Sequence, residues 1–270
     1  MSLGIIIPLK AKKVSRSWEI TSNLLHNTLL SLQNQSSQNY HAVVVGHDRP
    51  HLSALRHDLI NFIHTEFEIP PLKKGGSYSK YSDFDRIIDK YRKIAEGYCF
   101  LESKNIQYFM VLDADDLIHK DLSKYILADC NPHGYILKAG YEYFSKAKRV
   151  IPRKKLDKIC GSTTIIHANH MPKIDTVNDE SLKLIPWCFL SHSQMEEYFF
   201  KKKSPLKTVP FKSLMYVLQH DDNSSDEFRS TLKAKFREQL KIFILGHHIS
   251  DQVKLDFALD STYNDKKIGI

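Results

Sequence analysis

The strongest constraint on the fold is an alternation of two hydrophobic periods in the first half of the chain. Residues 5–9, 41–45 and 108–112 are short runs dominated by apolar side chains. A strand that is apolar on both faces must be covered on both faces, as strands inside a parallel sheet are. Between these runs, Ile20, Leu24, Leu25, Leu29 and Leu32 recur at helical spacing, as do Phe84, Ile87, Ile88, Tyr91, Ile94, Ala95 and Tyr98. Leu52, Leu55, Leu59, Ile60 and Ile63 read as a further helical face, and residues 67–69 as a third strand halted by Pro70-Pro71. Residues 73–77 have the composition of a flexible loop. The succession predicts an α/β fold with a mostly parallel central sheet and helices on both faces.

The second half is less regular. Strands are expected at residues 135–137, 162–166, 208–211 and 214–218, with a polar, basic insertion between the first two. Residues 167–183 read as a polar loop, residues 194–200 as a helix, and Phe228, Leu232, Phe236, Leu240 and Ile244 mark a C-terminal helix. No repeat or linker divides the chain, so one domain is expected over residues 1–270.

Composition narrows the partners. Hydrophobic residues at 42% and charged residues at 26% exclude wholesale disorder. No apolar run approaches the ~20 residues of a membrane span, and the opening apolar stretch does not read as a secretory signal. Cys99, Cys130, Cys160 and Cys188 contain no CxxC pair, which points away from a zinc site or a disulfide scaffold and toward a reducing cytoplasm. The net charge of +8 invites phosphate-bearing ligands or an anionic surface, with peripheral contact at the inner membrane face as one expectation. Nucleic acid is not an expected partner, because no aromatic-rich RNP strand or zinc-finger spacing is present.

The segment with most chemistry is Asp113-Ala114-Asp115-Asp116, at the end of the apolar run 108–112. Ligands of open parallel sheets bind beyond the carboxyl ends of the strands. In an extended segment Asp113 and Asp115 would share one side, a pair of carboxylates suited to Mg²⁺ or Mn²⁺. The competing role is to cap a helix over residues 117–125 with Asp115 or Asp116. Trp18 and Trp187 offer either sugar-stacking faces or core packing.

With these motifs in order, the chain resembles glycosyltransferases of the A-type fold, family 2 in particular, from residue 4 to about 225. The resemblance implies a GT-A-like (Rossmann-like) domain, with residues 1–120 as the nucleotide-sugar-binding half, 121–225 as the acceptor half and 226–270 as C-terminal helix and tail. It implies that Gly4-Ile5-Ile6-Ile7-Pro8-Leu9-Lys10 is the first strand, whose end, at Pro8 and Lys10, meets the donor nucleotide. Asp48, in Gly46-His47-Asp48, stands where relatives carry two aspartates, and Lys90 or Lys93 would face the donor phosphates. Asp113 would approach the ribose or the metal's water and Asp115 the metal, with His220 closing the shell. Cys160, Gly161 and Ser162 would border the acceptor.

The implied reaction is metal-dependent transfer of a sugar from a UDP- or GDP-linked donor to the hydroxyl of a glycan, lipid-linked saccharide or polysaccharide, with inversion. The family's acidic base motif is absent. His192 is the chosen base, since an imidazole exchanges protons near neutral pH, with Asp175 or Asp179 as alternatives. Two other readings compete. A sugar-nucleotide-forming nucleotidyltransferase would need glycines in Lys10-Ala11-Lys12-Lys13, which has none, and a basic α/β anion-binding protein would need no catalysis.

Overall fold

The computed structural model describes residues 1–69, 83–220 and 232–259. Pro70-Pro71, the loop at 73–77, residues 221–225 and Phe228 lie outside the described residues. The first two apolar runs form parallel neighbours, β1 (Leu3–Pro8) and β2 (Tyr40–Gly46), joined by helix α1 (Trp18–Gln33). Next come β3 (Ile60–His64), helix α2 (Asp83–Glu102) and β4 (Tyr108–Val111). The strand order β3-β2-β1-β4 is parallel throughout. Beyond β4 lie β9 (Thr164–His167), β6 (Gly134–Ile136) and β10 (Lys207–Thr208), with β9 reversed against both β4 and β6.

The side-chain period of two explains why these strands read as continuous apolar runs. Ile5 and Ile7 face the core beneath α1, together with Ala42, Val44, Met110 and Leu25. Ile6 faces the opposite core beneath α2, with Val43, Val45, Val111 and Ile94. Both faces are dry, so neither face of the strand can be polar. α2 approaches the sheet closely at Gly97, where a Cβ would stand 2.6 Å from the Ile6 Cγ2 and 3.1 Å from the Val45 Cγ2. Glycine weakens a helix interior, and here close packing on two β-branched side chains offsets that cost.

A second sheet stacks β5 (Leu117–Ile118), β11 (Leu214–Leu218), β7 (Gly140–Phe144), β8 (Arg149–Arg153) and β12 (His247–His248) in the order β12-β8-β7-β11-β5. The hairpin β7–β8 occupies the segment expected to be a polar insertion. One of its faces is buried and the other half-exposed, so no long apolar run announced it.

Four other expectations are corrected. The helical face over residues 52–63 is a single 3₁₀ turn, Ser53–Arg56, followed by β3, and residues 67–69 form no strand. A segment this short gains little as an isolated helix, whereas as the edge strand it pairs with β2 in register from Ile60 to His64. The polar loop at 167–183 contains a 3₁₀ turn, Ala168–His170, and a short helix α4 (Asp179–Leu182) with an Asn178–Ser181 capping box. The strand expected at 208–211 is confined to Lys207–Thr208. All four cysteines are free thiols, and among the described residues no helix is long and apolar enough to cross a membrane.

Two measurements follow from this packing. Gly97→Val forces a side chain into the α2–sheet contact and is expected to cost about 1–3 kcal/mol, seen as a lower urea midpoint at unchanged slope. His26, His41, His47, His119, His167 and His170 are all held below their ordinary value of 6.5, with burial the leading cause in each. Between the folded and unfolded values the unfolded chain binds more protons, so stability is lost as pH falls below about 6.5. The urea midpoint is expected to drop between about pH 7.5 and about pH 5.5.

Candidate active site

Asp113 follows β4 at the carboxyl end of the central parallel strands, where Pro8 ends β1 and Asp48 follows β2. The four residues Asp113 to Asp116 form a turn closed by the Asp116 amide on the Asp113 carbonyl, at 3.1 Å. This corrects two expectations. Asp113 and Asp115 are brought together by a turn rather than by extended alternation. Neither Asp115 nor Asp116 caps a helix, because Leu117–Ile118 is strand β5 and helix α3 (Leu122–Asp129) begins after Asp121.

Asp116 holds the turn from beneath. It has no exposed surface. Its Oδ2 accepts the Ser162 hydroxyl at 2.6 Å and the Cys160 thiol at 3.2 Å, and its Oδ1 accepts the Val217 amide at 3.3 Å. The Ser162 Oγ in turn accepts the Asp113 amide at 2.9 Å. Burial, then the charges of Asp115 and Asp113, push the Asp116 carboxyl well above the usual range, while the donors from Ser162 and Cys160 oppose that shift. Sequence reasoning missed this clasp; the small polar residues around Gly161, complementary to a third aspartate in the turn, were its available signal.

Above the clasp the two outer carboxylates each meet a nitrogen. Lys90 Nζ donates to Asp113 Oδ1 at 2.5 Å, and His220 Nε2 lies 2.9 Å from Asp115 Oδ2. Burial alone would lower the Lys90 amine, but Asp113 and then Asp115 outweigh it and raise the amine above its ordinary value. Gly161 fits beside this pair: a Cβ there would lie 3.3 Å from Asp113 Oδ2 and 3.8 Å from Lys90 Nζ. The fold thus gathers Lys90, Asp113, Asp115, Cys160, Gly161, Ser162 and His220 at one place.

Lys93 does not join them. It is 1% exposed and donates to Asp89 Oδ2 at 2.6 Å. Burial lowers its amine, against the pull of Asp89. The neighbouring His47 places Nε2 3.0 Å from the Phe67 carbonyl, and Asp48 Oδ2 accepts the Lys12 amide at 2.7 Å, tying the loop after β1 to the end of β2. Lys10 lies in that same loop. His192 stands in a 3₁₀ turn capped by Ser191, and no hydrogen bond or ion pair among the described residues joins it to the carboxylates. Its turn is fastened by Lys158 Nζ to the Ser193 carbonyl at 3.0 Å, on the segment that leads into Cys160. Asp175 is exposed, and Asp179 pairs with Arg92 at 3.2 Å. Trp187 is core, 7% exposed, and Trp18 packs partly buried against the core under α1.

The donor set of two carboxylates and an imidazole suits a Mn²⁺-like ion. Among the described residues no group of three or more His, Cys, Asp or Glu is already assembled around a cation position. Asp113 is engaged by Lys90, so an ion here would draw the rest of its oxygen ligands from a bound phosphate.

Neither the family models nor the curated proteins yielded a match. Among solved structures the chain is similar to TarS of S. aureus, with 14% identity and a TM-score of 0.43 over 91% of this chain and 40% of that chain. It is similar also to S. aureus TarS 1–349 in complex with UDP, with 14% identity and a TM-score of 0.45 over 89% of this chain and 66% of that one. A third likeness is to a protein of Desulfovibrio desulfuricans G20 provisionally assigned as a nucleotide-diphospho-sugar transferase, with 9% identity and a TM-score of 0.37 over 90% of this chain and 97% of the other. At such scores the likeness carries no function to this chain.

The clasp makes a testable demand on stability. Asp116→Ala leaves the buried Val217 amide and Ser162 hydroxyl without their acceptor and is expected to cost about 2–3 kcal/mol in urea unfolding. Asp115→Asn relieves carboxylate repulsion and is expected to cost less than about 1 kcal/mol.

Proposed function

We propose that the chain is a glycosyltransferase that moves a sugar from a nucleoside-diphosphate donor to a hydroxyl acceptor. The observation that carries this reading is the turn at the end of β4, whose carboxylates Asp113 and Asp115 are met by Lys90 and His220 respectively. Such a site can bind a diphosphate through an ammonium while holding carboxylates for a cation, at the strand ends where nucleotides bind parallel sheets. The sequence resemblance to family 2 glycosyltransferases runs through the same residues.

In the proposed reaction the bond between the anomeric carbon and the diphosphate oxygen breaks, and its electron pair leaves with the diphosphate. The acceptor oxygen forms the new bond and loses its proton to a base. Lys90, released from Asp113 by the ligand, opposes the charge that develops on the leaving group. Asp115 and His220, with Asp113, would hold a divalent ion, which when bound neutralises the diphosphate as a Lewis acid. Pro8, Lys10 and Asp48 would border the nucleoside side of the site; of the residues expected to border the acceptor, Gly161 stands beside Asp113 and Lys90, while Cys160 and Ser162 are buried on Asp116 and act through the turn. His192 remains the proposed base, with inversion at the anomeric carbon as the proposed outcome, readable from the NMR coupling of the product's anomeric proton.

Calorimetric titration with UDP and GDP, with and without Mn²⁺, tests the donor class. One of them is expected to bind in a Mn²⁺-dependent manner, Asp115→Ala to abolish that dependence, and Lys90→Ala to weaken binding by about tenfold or more. Mn²⁺-dependent binding undiminished in Asp115→Ala would refute the metal site; absence of binding by any nucleoside diphosphate or nucleotide sugar would refute the donor.

A further inference from the structure

The helix Leu232–Leu245 engages the rest of the molecule through one side. Ile242 is buried against Phe144, Ile151 and Leu218. Glu238 Oε2 accepts from Gln219 Nε2 at 3.0 Å, and Lys241 Nζ donates to both oxygens of Glu142 at 3.1 and 2.8 Å. With about 100° between successive residues, these three point away from Phe236, Leu240, Phe243 and Ile244, which step by four, three and one. Those four are 70%, 46%, 81% and 64% exposed. A contiguous stripe of this size is not the ordinary scatter of apolar surface.

The charges around the stripe decide what covers it. The sequence of the helix carries Lys233, Lys235 and Arg237 besides Lys241, which is committed to Glu142 on the inner side, and one acid, Glu238, which is committed to Gln219. Arg237 is exposed beside Phe236, and His247 and His248 are exposed just beyond the helix. Two copies of this face brought together would set basic edges against each other. A bilayer of anionic lipid takes the rings among its acyl chains and meets the cations with phosphates.

We propose that the outer face of this helix docks on an anionic membrane surface. The inference stands on the helix alone and does not depend on the transferase reading. The test is sedimentation of the full chain with vesicles of phosphatidylcholine and with vesicles containing about one third phosphatidylglycerol. Binding is expected on the anionic vesicles, at least about tenfold weaker on phosphatidylcholine, weakened severalfold by Arg237→Glu and at least about tenfold by Phe236→Ser combined with Phe243→Ser. Both phenylalanines are exposed, so the double variant is expected to unfold at the wild-type urea midpoint, which separates lost docking from lost folding. The proposal is overturned if the chain does not sediment with anionic vesicles, or if the double variant binds them as wild type does. It is equally overturned if ultracentrifugation shows a dimer that the double variant abolishes, since a second copy would then cover the face.

Discussion

Asp116 has no exposed surface, yet one of its oxygens receives the Ser162 hydroxyl and the Cys160 thiol while the other receives the Val217 amide. A carboxylate in that position is costly without such donors, and they come from two separate places: Cys160 and Ser162 on the segment entering β9, and Val217 on β11 of the second sheet. The two sheets are therefore joined at the point where Asp113 and Asp115 emerge. Displacing the turn would strand a buried carboxylate, so the outer carboxylates inherit a fixed placement from a residue that itself touches no ligand.

The same helix carries two lysines three residues apart with opposite fates. Lys90 reaches past the strand ends to Asp113, and its amine is raised by the two carboxylates it faces. Lys93 is drawn under the sheet's end onto Asp89 and its amine is lowered by burial. A half-buried ammonium that can exchange one oxygen anion for another is suited to a ligand phosphate. A buried ammonium in an i,i+4 pair within the helix is a structural element, and removing either partner would leave the other uncompensated. Helical spacing alone ranks the two alike; the direction of the side chain at the helix–sheet contact separates them.

Strands with both faces buried were legible because nothing polar interrupts them: β1, β2, β4 and β11 fall within a residue or two of the expected runs. The helix α2 was legible from its repeated step of three and four. The hairpin β7–β8 was not, since Glu142 is buried there only because Arg153 and Lys241 neutralise it, an arrangement that takes three distant residues to see. Residues 52–63 misled for a related reason: over so few positions, apolar spacing fits a helix or a 3₁₀ turn followed by a strand, and the open edge of β2 decides. At the site, the acidic turn was visible as a motif. The choice of Asp116 as the buried member was not, because three carboxylates in four residues are equivalent until the donors of Ser162, Cys160 and Val217 are placed.

The connection after β11 ties the site to the C-terminal helix. Gln219 takes a left-handed backbone conformation, φ 63°, between the last strand residue and His220. Its side chain donates to Glu238 of that helix, and its own carbonyl accepts the Ser145 hydroxyl at 3.0 Å. His220 is thus aimed at Asp115 by a strained residue whose position depends on a helix with an apolar outer face. Backbone strain of this kind persists only where surrounding contacts over-determine it. Here those contacts are the Ser145 hydroxyl on the Gln219 carbonyl and the Gln219 side chain on Glu238, which together fix the residue that presents His220 to Asp115.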